Sequence, residues 1–173
     1  MYIGTIENQV SYRGDVVIPR EVTVENKTLK VTAIGEKAFY YCYYLTSINI
    51  PYSVISIGEE AFFNSGLTSM EIPNSVTSIH SSAFYNCNNM TSITIPISVT
   101  SINRYAFWNC SRLTTIISQI KEPFDIGIVF SNSVYDNATL YVPSGTKSKY
   151  EATKGWRIFK NIVENDLLHI DDS

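Results

Sequence analysis

An alanine–phenylalanine pair returns four times at nearly constant spacing, and that recurrence limits this chain more than any other feature. Ala38-Phe39, Ala61-Phe62, Ala83-Phe84 and Ala106-Phe107 lie 23, 22 and 23 residues apart. Each pair sits inside the same longer phrase: VTAIGEKAFYYCYYLTSINIPYS, VISIGEEAFFNSGLTSMEIPNS, VTSIHSSAFYNCNNMTSITIPIS and VTSINRYAFWNCSRLTTI. A unit of that length cannot bury its apolar face alone, whereas stacking on a neighbour buries it. The chain is therefore expected to lay similar coils on one another, with equivalent residues filed in columns along the stack.

Within each unit, residues such as Thr46 to Ile50 alternate polar and apolar. That period belongs to a half-buried strand, with Ile48 and Ile50 inward and Ser47 and Asn49 outward. Pro51, Pro73 and Pro96 follow at once and end the strand, because proline has no N–H for the ladder. Val54-Ile55-Ser56-Ile57, Val76-Thr77-Ser78-Ile79 and Val99-Thr100-Ser101-Ile102 read as a second short strand. The six or seven residues around Ala-Phe are too few for a full helix, so one or two helical turns are expected there. Alanine keeps the turn close to the sheet, and the phenylalanines are expected to stack down the centre, each burying roughly 150–250 Å2. The next position is always aromatic: Tyr40, Phe63, Tyr85, Trp108. Asn64, Asn86 and Asn109 then align, with Tyr41 as the exception, and asparagines at such a corner can bond the backbone of the next coil.

The apolar kernel reads Leu45-x-x-Ile48-x-Ile50, Leu67-x-x-Met70-x-Ile72, Met90-x-x-Ile93-x-Ile95 and Leu113-x-x-Ile116. With a period in the low twenties, L-x-x-L-x-L is the signature of a leucine-rich-repeat solenoid. The fold class is thus α/β and β-rich: short parallel strands, a second short strand row and one-to-two-turn helices in each coil of about 23 residues. Residues 1–30 read as an opening coil, its strand ending at Pro19. VTVENKTLK, Val22 to Lys30, reads as a hairpin closing that end. Residues 31–118 hold the four regular repeats. From 119 to 164 the text becomes an irregular coil and cap, with the missing proline due near Gln119 and the last strand ending on Pro143. Ser144 is expected to cap a short helix running to about Thr153 and broken by Gly155. Trp156, Phe159, Ile162 and Val163 would form a lid, the whole of 1–164 one solenoid, and 165–173 a tail.

Of the 173 residues, 17% are charged and the net charge is −3. No basic stripe exists, so nucleic acid is not an expected partner. No apolar run approaches the ~18 residues of a membrane-crossing helix. The first residues, MYIGTIENQVSYRGD, hold neither a charged n-region nor an apolar h-region. Cys42, Cys87 and Cys110 share one column, with Ser65 in the second repeat. A disulfide framework or a metal site would not leave that odd count, so a column of small buried thiols is expected. His80 is read as an exposed corner residue, and His169 falls in the tail. No nucleophile, phosphate-loop or zinc pattern occurs, Ser144-Gly145 reads as turn chemistry, and the neighbouring carboxylates Glu59-Glu60 and Asp171-Asp172 point apart. The chain is not expected to be an enzyme, nor to hold a cofactor or metal.

The positive signal is a surface. Parallel coils about 4.8 Å apart would align Ser47, Ser69, Ser92 and Thr115 in one outward row and Asn49, Glu71, Thr94 and Ile117 in the next. Such a face can hold an extended protein or a glycan through many weak contacts, although hydroxyls also simply suit a solvated strand face. Tyr41, Tyr43 and Tyr44 form a candidate aromatic contact patch, since interface hot spots favour tyrosine.

The phrase IP-x-SV-x-SIG-x-x-AF-x-x-C-x-x-LTSI closely resembles the BspA-like, or Treponema-type, leucine-rich repeats. ATLYVPSGTKSKYEATKGW followed by F-x-x-IVE resembles the closing segment of such proteins from Bacteroides-like bacteria. The resemblance covers roughly Asp15 to Glu164. It implies a right-handed solenoid, secreted or on the cell surface, acting in adhesion to host matrix proteins or other cells, with its export signal outside this sequence. Three departures stand out: the second repeat is one residue short at Ser65-Gly66, Ser118 replaces the last kernel isoleucine, and no export signal is present. The alternative functions are a structural spacer or stalk carrying another domain, and a glycan-binding module using exposed Tyr and Asn.

Overall fold

The structure is a computed structural model that describes residues 2–3 and 12–166. Its strands follow the repeats. In chain order they are β1 (Tyr2–Ile3), β2 (Arg13–Val17), β3 (Glu21–Val24), β4 (Lys27–Lys30), β5 (Ala33–Ile34), β6 (Tyr44–Asn49), β7 (Ser56–Ile57) and β8 (Ser78–Ile79). Then come β9 (Ser92–Ile95), β10 (Ser101–Ile102), β11 (Thr115–Ser118), α1 (Asn132–Asn137), β12 (Thr139–Pro143), α2 (Lys147–Ala152) and β13 (Asn161–Asn165). The second strand row is one parallel sheet in the order β1-β5-β7-β8-β10. Ser56, Ser78 and Ser101 align in it, and Ile57, Ile79 and Ile102 align behind them in the core. The first row forms β13-β12-β11-β9 and a separate pair β2-β6, again parallel.

The expected helical turn around Ala-Phe is instead a pair of tight turns. Lys37 and Tyr41, Glu60 and Asn64, Ser82 and Asn86, and Tyr105 and Asn109 all have φ between 53° and 63°. A helix would spend its N–H groups within the coil. These left-handed residues turn alternate N–H groups along the stack, where they reach the next coil. Phe39 donates to the Ala61 carbonyl at 2.7 Å, Phe62 to Ala83 at 2.7 Å and Phe84 to Ala106 at 2.8 Å. The turns thus make a third inter-coil ladder, and asparagine recurs in them because it tolerates left-handed backbone better than most residues. Asn86 Nδ2 donates to Asn64 Oδ1, and Asn109 Nδ2 donates to Asn86 Oδ1 at 2.6 Å. The asparagines therefore bond each other's side chains, where backbone bonding had been expected.

The phenylalanines file as expected. Successive rings of Phe39, Phe62, Phe84 and Phe107 lie 5.1, 5.1 and 5.0 Å apart, nearly parallel, and all are buried. The column is longer than the Ala-Phe count implied. Tyr12 tilts against Phe39 at 5.0 Å, and Phe130 continues the stack at 5.4 Å from Phe107. Val129-Phe130 occupies the Ala-Phe place of the irregular coil, with Phe107 donating to the Val129 carbonyl at 3.1 Å. Val129 hid the repeat because a larger apolar residue stands where alanine was sought.

The ends depart further from expectation. Hairpin β3-β4 forms, and Glu25 and Asn26, both at positive φ, are the two residues between its strands, matching the right-handed strand twist. It does not close the first coil, because only Val22 packs on the core while Val24 and Leu29 stay over 40% exposed. At the other end Gln119, where the proline was due, continues the ladder by donating to the Ile95 carbonyl at 2.9 Å. Ser118 is buried because its hydroxyl meets Tyr150 Oη at 2.6 Å, and Tyr150 donates to the Ile120 carbonyl at 2.8 Å. Ser144 does not cap α2: its hydroxyl goes to Asp166, and Thr146 precedes the helix. Trp156, Phe159 and Ile162 are buried over the last coil, but Val163 faces outward on β13, which adds an unforeseen strand beside β12. Most of the tail, with His169 and Asp171-Asp172, lies outside the described residues.

Candidate ligand-binding face

The first strand row presents its outward residues as expected, with one interruption. Thr94 pairs with Ile117, Ile117 with Tyr141 and Tyr141 with Val163, while Ser92 pairs with Thr115, Thr115 with Thr139 and Thr139 with Asn161. On the other side Asp15 pairs with Ser47 and Val17 with Asn49. Between these blocks the second repeat forms no strand of this row. A single bridge, Glu71 to Thr94, joins it to β9. The missing residue at Ser65-Gly66 explains the break. Gly66 N–H donates to the Cys42 carbonyl at 3.0 Å, and a methyl on Gly66 would overlap the Tyr43 carbonyl. The shortened corner draws this segment tightly over coil one, where Thr68 N–H reaches the Thr46 carbonyl at 3.4 Å but no strand forms.

The break leaves a shallow depression of about 290 Å3, lined by Asp15, Val17, Asn49, Tyr52, Glu71 and Pro73 among others. Ser47, Ser69, Glu71 and Thr94 line its continuation. Five of the candidate face residues, Ser47, Asn49, Ser69, Glu71 and Thr94, thus border one concavity, while Ser92 and Thr115 stand further along the face. Asp15, Val17 and Tyr52 were not foreseen as part of it. The echo of Ile48-Asn49-Ile50-Pro51 in Val16-Val17-Ile18-Pro19 held the signal, since extending it backwards sets Asp15 beside Ser47. Asp15 Oδ1 accepts from the hydroxyls of Ser47 at 2.6 Å and Thr46 at 3.1 Å, and these two bonds hold its carboxyl below the usual range.

Of the candidate tyrosines, Tyr41 and Tyr43 are in ring contact. Tyr41 meets Tyr40 and Tyr43 edge-on, at 4.4 and 5.4 Å. Tyr44 lies at the start of β6, with the Arg13 guanidinium 4.4 Å from its ring. Tyr43 lies in the turn just before β6, and both it and Tyr44 are more than half exposed.

The three thiols are free and buried. Cys87 donates to the Phe62 carbonyl at 3.1 Å and Cys110 to the Phe84 carbonyl at 3.2 Å. Burial pushes the Cys87 thiol up to about 11 and Cys110 well above its ordinary value. His80 is exposed, as expected, and Glu60 pairs with Lys37 at 3.5 Å. Among the described residues no group of His, Cys, Asp and Glu could hold a metal, and no helix is long and apolar enough to cross a membrane.

Stacked parallel coils with the L-x-x-L-x-L kernel inward define a leucine-rich-repeat protein. The BspA type leucine rich repeat region matches residues 25–140 in six copies, and the chain belongs to that family. Leucine-rich repeats of this kind are in general protein-interaction or surface modules. Among solved structures, a leucine-rich repeat protein from Bacteroides capillosus is 36% identical over 60% of this chain and 75% of its own, with a TM-score of 0.54. The pneumococcal vaccine antigen PcpA has a TM-score of 0.63 at 16% identity, over 87% of this chain and 41% of its own. A leucine-rich repeat protein from Bacteroides ovatus has a TM-score of 0.50 at 24% identity, over 72% of this chain and 48% of its own. A search of the curated proteins finds no match.

Proposed function

We propose that this chain is a non-enzymatic, surface-exposed adhesion module, and that its first strand row is the contact surface for another protein. The observation that carries the reading is the depression where that row breaks, walled by Asp15, Asn49, Tyr52 and Glu71 beside the Ser and Thr rows. The second-row sheet and the turn ladder hold the coils behind the wall, so a partner meets a surface already ordered and forfeits little entropy in binding it. Residues 1–164 act as one solenoid in this reading, displayed at the cell surface. The partner is a matrix or other cell-surface protein.

Solid-phase binding to purified matrix proteins, run beside a glycan array, tests the reading. Saturable protein binding is expected. It should be lost in Ser69→Arg and Thr94→Arg variants that melt like the wild type, and kept in Tyr43→Ser. Binding to glycans alone would replace this function with sugar recognition. A spacer would bind nothing in either format.

A further inference from the structure

The two outward rows differ in chemistry along their length. One reads Asp15, Ser47, Ser69, Ser92, Thr115, Thr139, Asn161, and the other Val17, Asn49, Glu71, Thr94, Ile117, Tyr141, Val163. Neither row holds a lysine or arginine, and their charges are the carboxylates of Asp15 and Glu71, both at the depression. Glu71 makes no ion pair among the described residues, and both hydroxyls on Asp15 go to Oδ1. The nearest cation along β2, Arg13, lies over the Tyr44 ring. Tyr52, 74% exposed, stands on the rim, where its ring face can take a cation. Further along, the second row turns apolar at Ile117, Tyr141 and Val163.

We propose that this face reads a basic, extended segment of a partner protein, with an arginine or lysine seated between Asp15 and Glu71 and an apolar side chain over Ile117 and Tyr141. The proposal rests on the strand row being the contact surface. It adds the partner's chemistry and spacing. Glu71 and Tyr141 are three coils apart, about 14 Å at the usual strand separation, and an extended chain advances about 3.3 Å per residue. The basic and apolar residues therefore stand about four positions apart, and the segment runs along the stack, across the strands. Charge complementarity chooses this occupant, because an acidic segment would set its carboxylates against two unneutralised ones.

The test uses three synthetic seven-residue peptides of Ser and Thr with Leu at position six and Arg, Gln or Glu at position two, each in both chain orders. Amide chemical shifts of the labelled protein are followed during titration. The Arg peptide is expected to shift Asn49, Ser69, Thr94 and Ile117, and to bind at least tenfold more tightly than the Gln peptide. That advantage should vanish in 0.5 M salt and in the Asp15→Asn, Glu71→Gln double variant, whose melting curve should match the wild type because both positions are exposed. If the Gln peptide binds the same residues equally well, the charge reading is overturned and the contact surface stands. If no peptide shifts these amides, the inference is overturned, and shifts confined to another face overturn the contact surface as well.

Discussion

Replacing Phe84 by alanine should remove the middle of the column on which the coils depend. Its ring is buried and lies between Phe62 at 5.1 Å and Phe107 at 5.0 Å, with interplanar angles of 5° and 1°. Truncating a buried phenylalanine costs about 3–5 kcal/mol in lost burial and cavity formation. Two ring–ring contacts at about 0.5–1.5 kcal/mol each place this position at the upper end, near 5 kcal/mol. Domains of this size are commonly stable by about 5–15 kcal/mol, so this one truncation should remove from about a third to all of the margin. Stability in a stacked array is a sum of coil terms and interface terms, so the central loss should also uncouple the two halves. Urea unfolding followed by far-UV circular dichroism should show a lower midpoint and a shallower or two-step transition. Phe63→Ala is the control: its ring also stacks, on Tyr85 at 4.8 Å, but it is half-buried, and about 1–2 kcal/mol is expected. Equal losses in the two variants would refute a central column as the principal stabilising element.

Gly66→Ala should destabilise by about 3 kcal/mol, because the new methyl meets the backbone carbonyl of Tyr43, which no rotamer change can move aside; a urea midpoint close to wild type would show the corner to be looser. Asn86→Ala should be less stable than Asn86→Gly by about 1 kcal/mol in thermal melts. Both lose the ladder bonds, but only alanine strains at φ 60°. The native protein should resist a thiol reagent at pH 8 and show three reactive thiols once denatured. Stability should hold up to about pH 8.5, where an unfolded thiol ionises, and fall from there to about pH 11. The folded state keeps Cys87 protonated while the unfolded chain releases the proton, so the fall is about 1.4 kcal/mol per pH unit for that thiol. Cys87→Ser should make the fall shallower by that thiol's share and leave the part due to Cys110.

The coil length, both strand rows and the phenylalanine column were legible because each is written once per repeat. What repetition could not show was how the Ala-Phe corner spends its hydrogen bonds. Its donors point to the next coil, a partner 21 to 23 residues away, so a local reading took the corner for a helix. The aligned asparagines did carry a trace of the left-handed backbone, but Lys37, Glu60, Ser82 and Tyr105 adopt the same conformation without a residue type to announce it. Past Thr115 the pattern failed because tertiary packing replaced residue identity: Val129 stands for alanine, and Ser118 is buried against Tyr150 where an isoleucine was due.

The site is set by the same irregularity that breaks the pattern. Full-length repeats keep the strand row continuous, and a continuous row of Ser and Thr is flat. One residue fewer before Leu67 forces Gly66 onto the backbone of coil one, interrupts the ladder and opens the only two carboxylate positions of the rows onto a common hollow. Restoring the missing residue, by inserting one between Ser65 and Gly66, would let Ser69 and Glu71 pair with Ser47 and Asn49 as their counterparts do elsewhere. The core columns would be untouched, because Phe62 and Met70 keep their partners in the neighbouring coils. On the proposed function, folding and recognition are separable: the regular columns hold the stack together, and a single shortened corner forms the hollow proposed as the contact site.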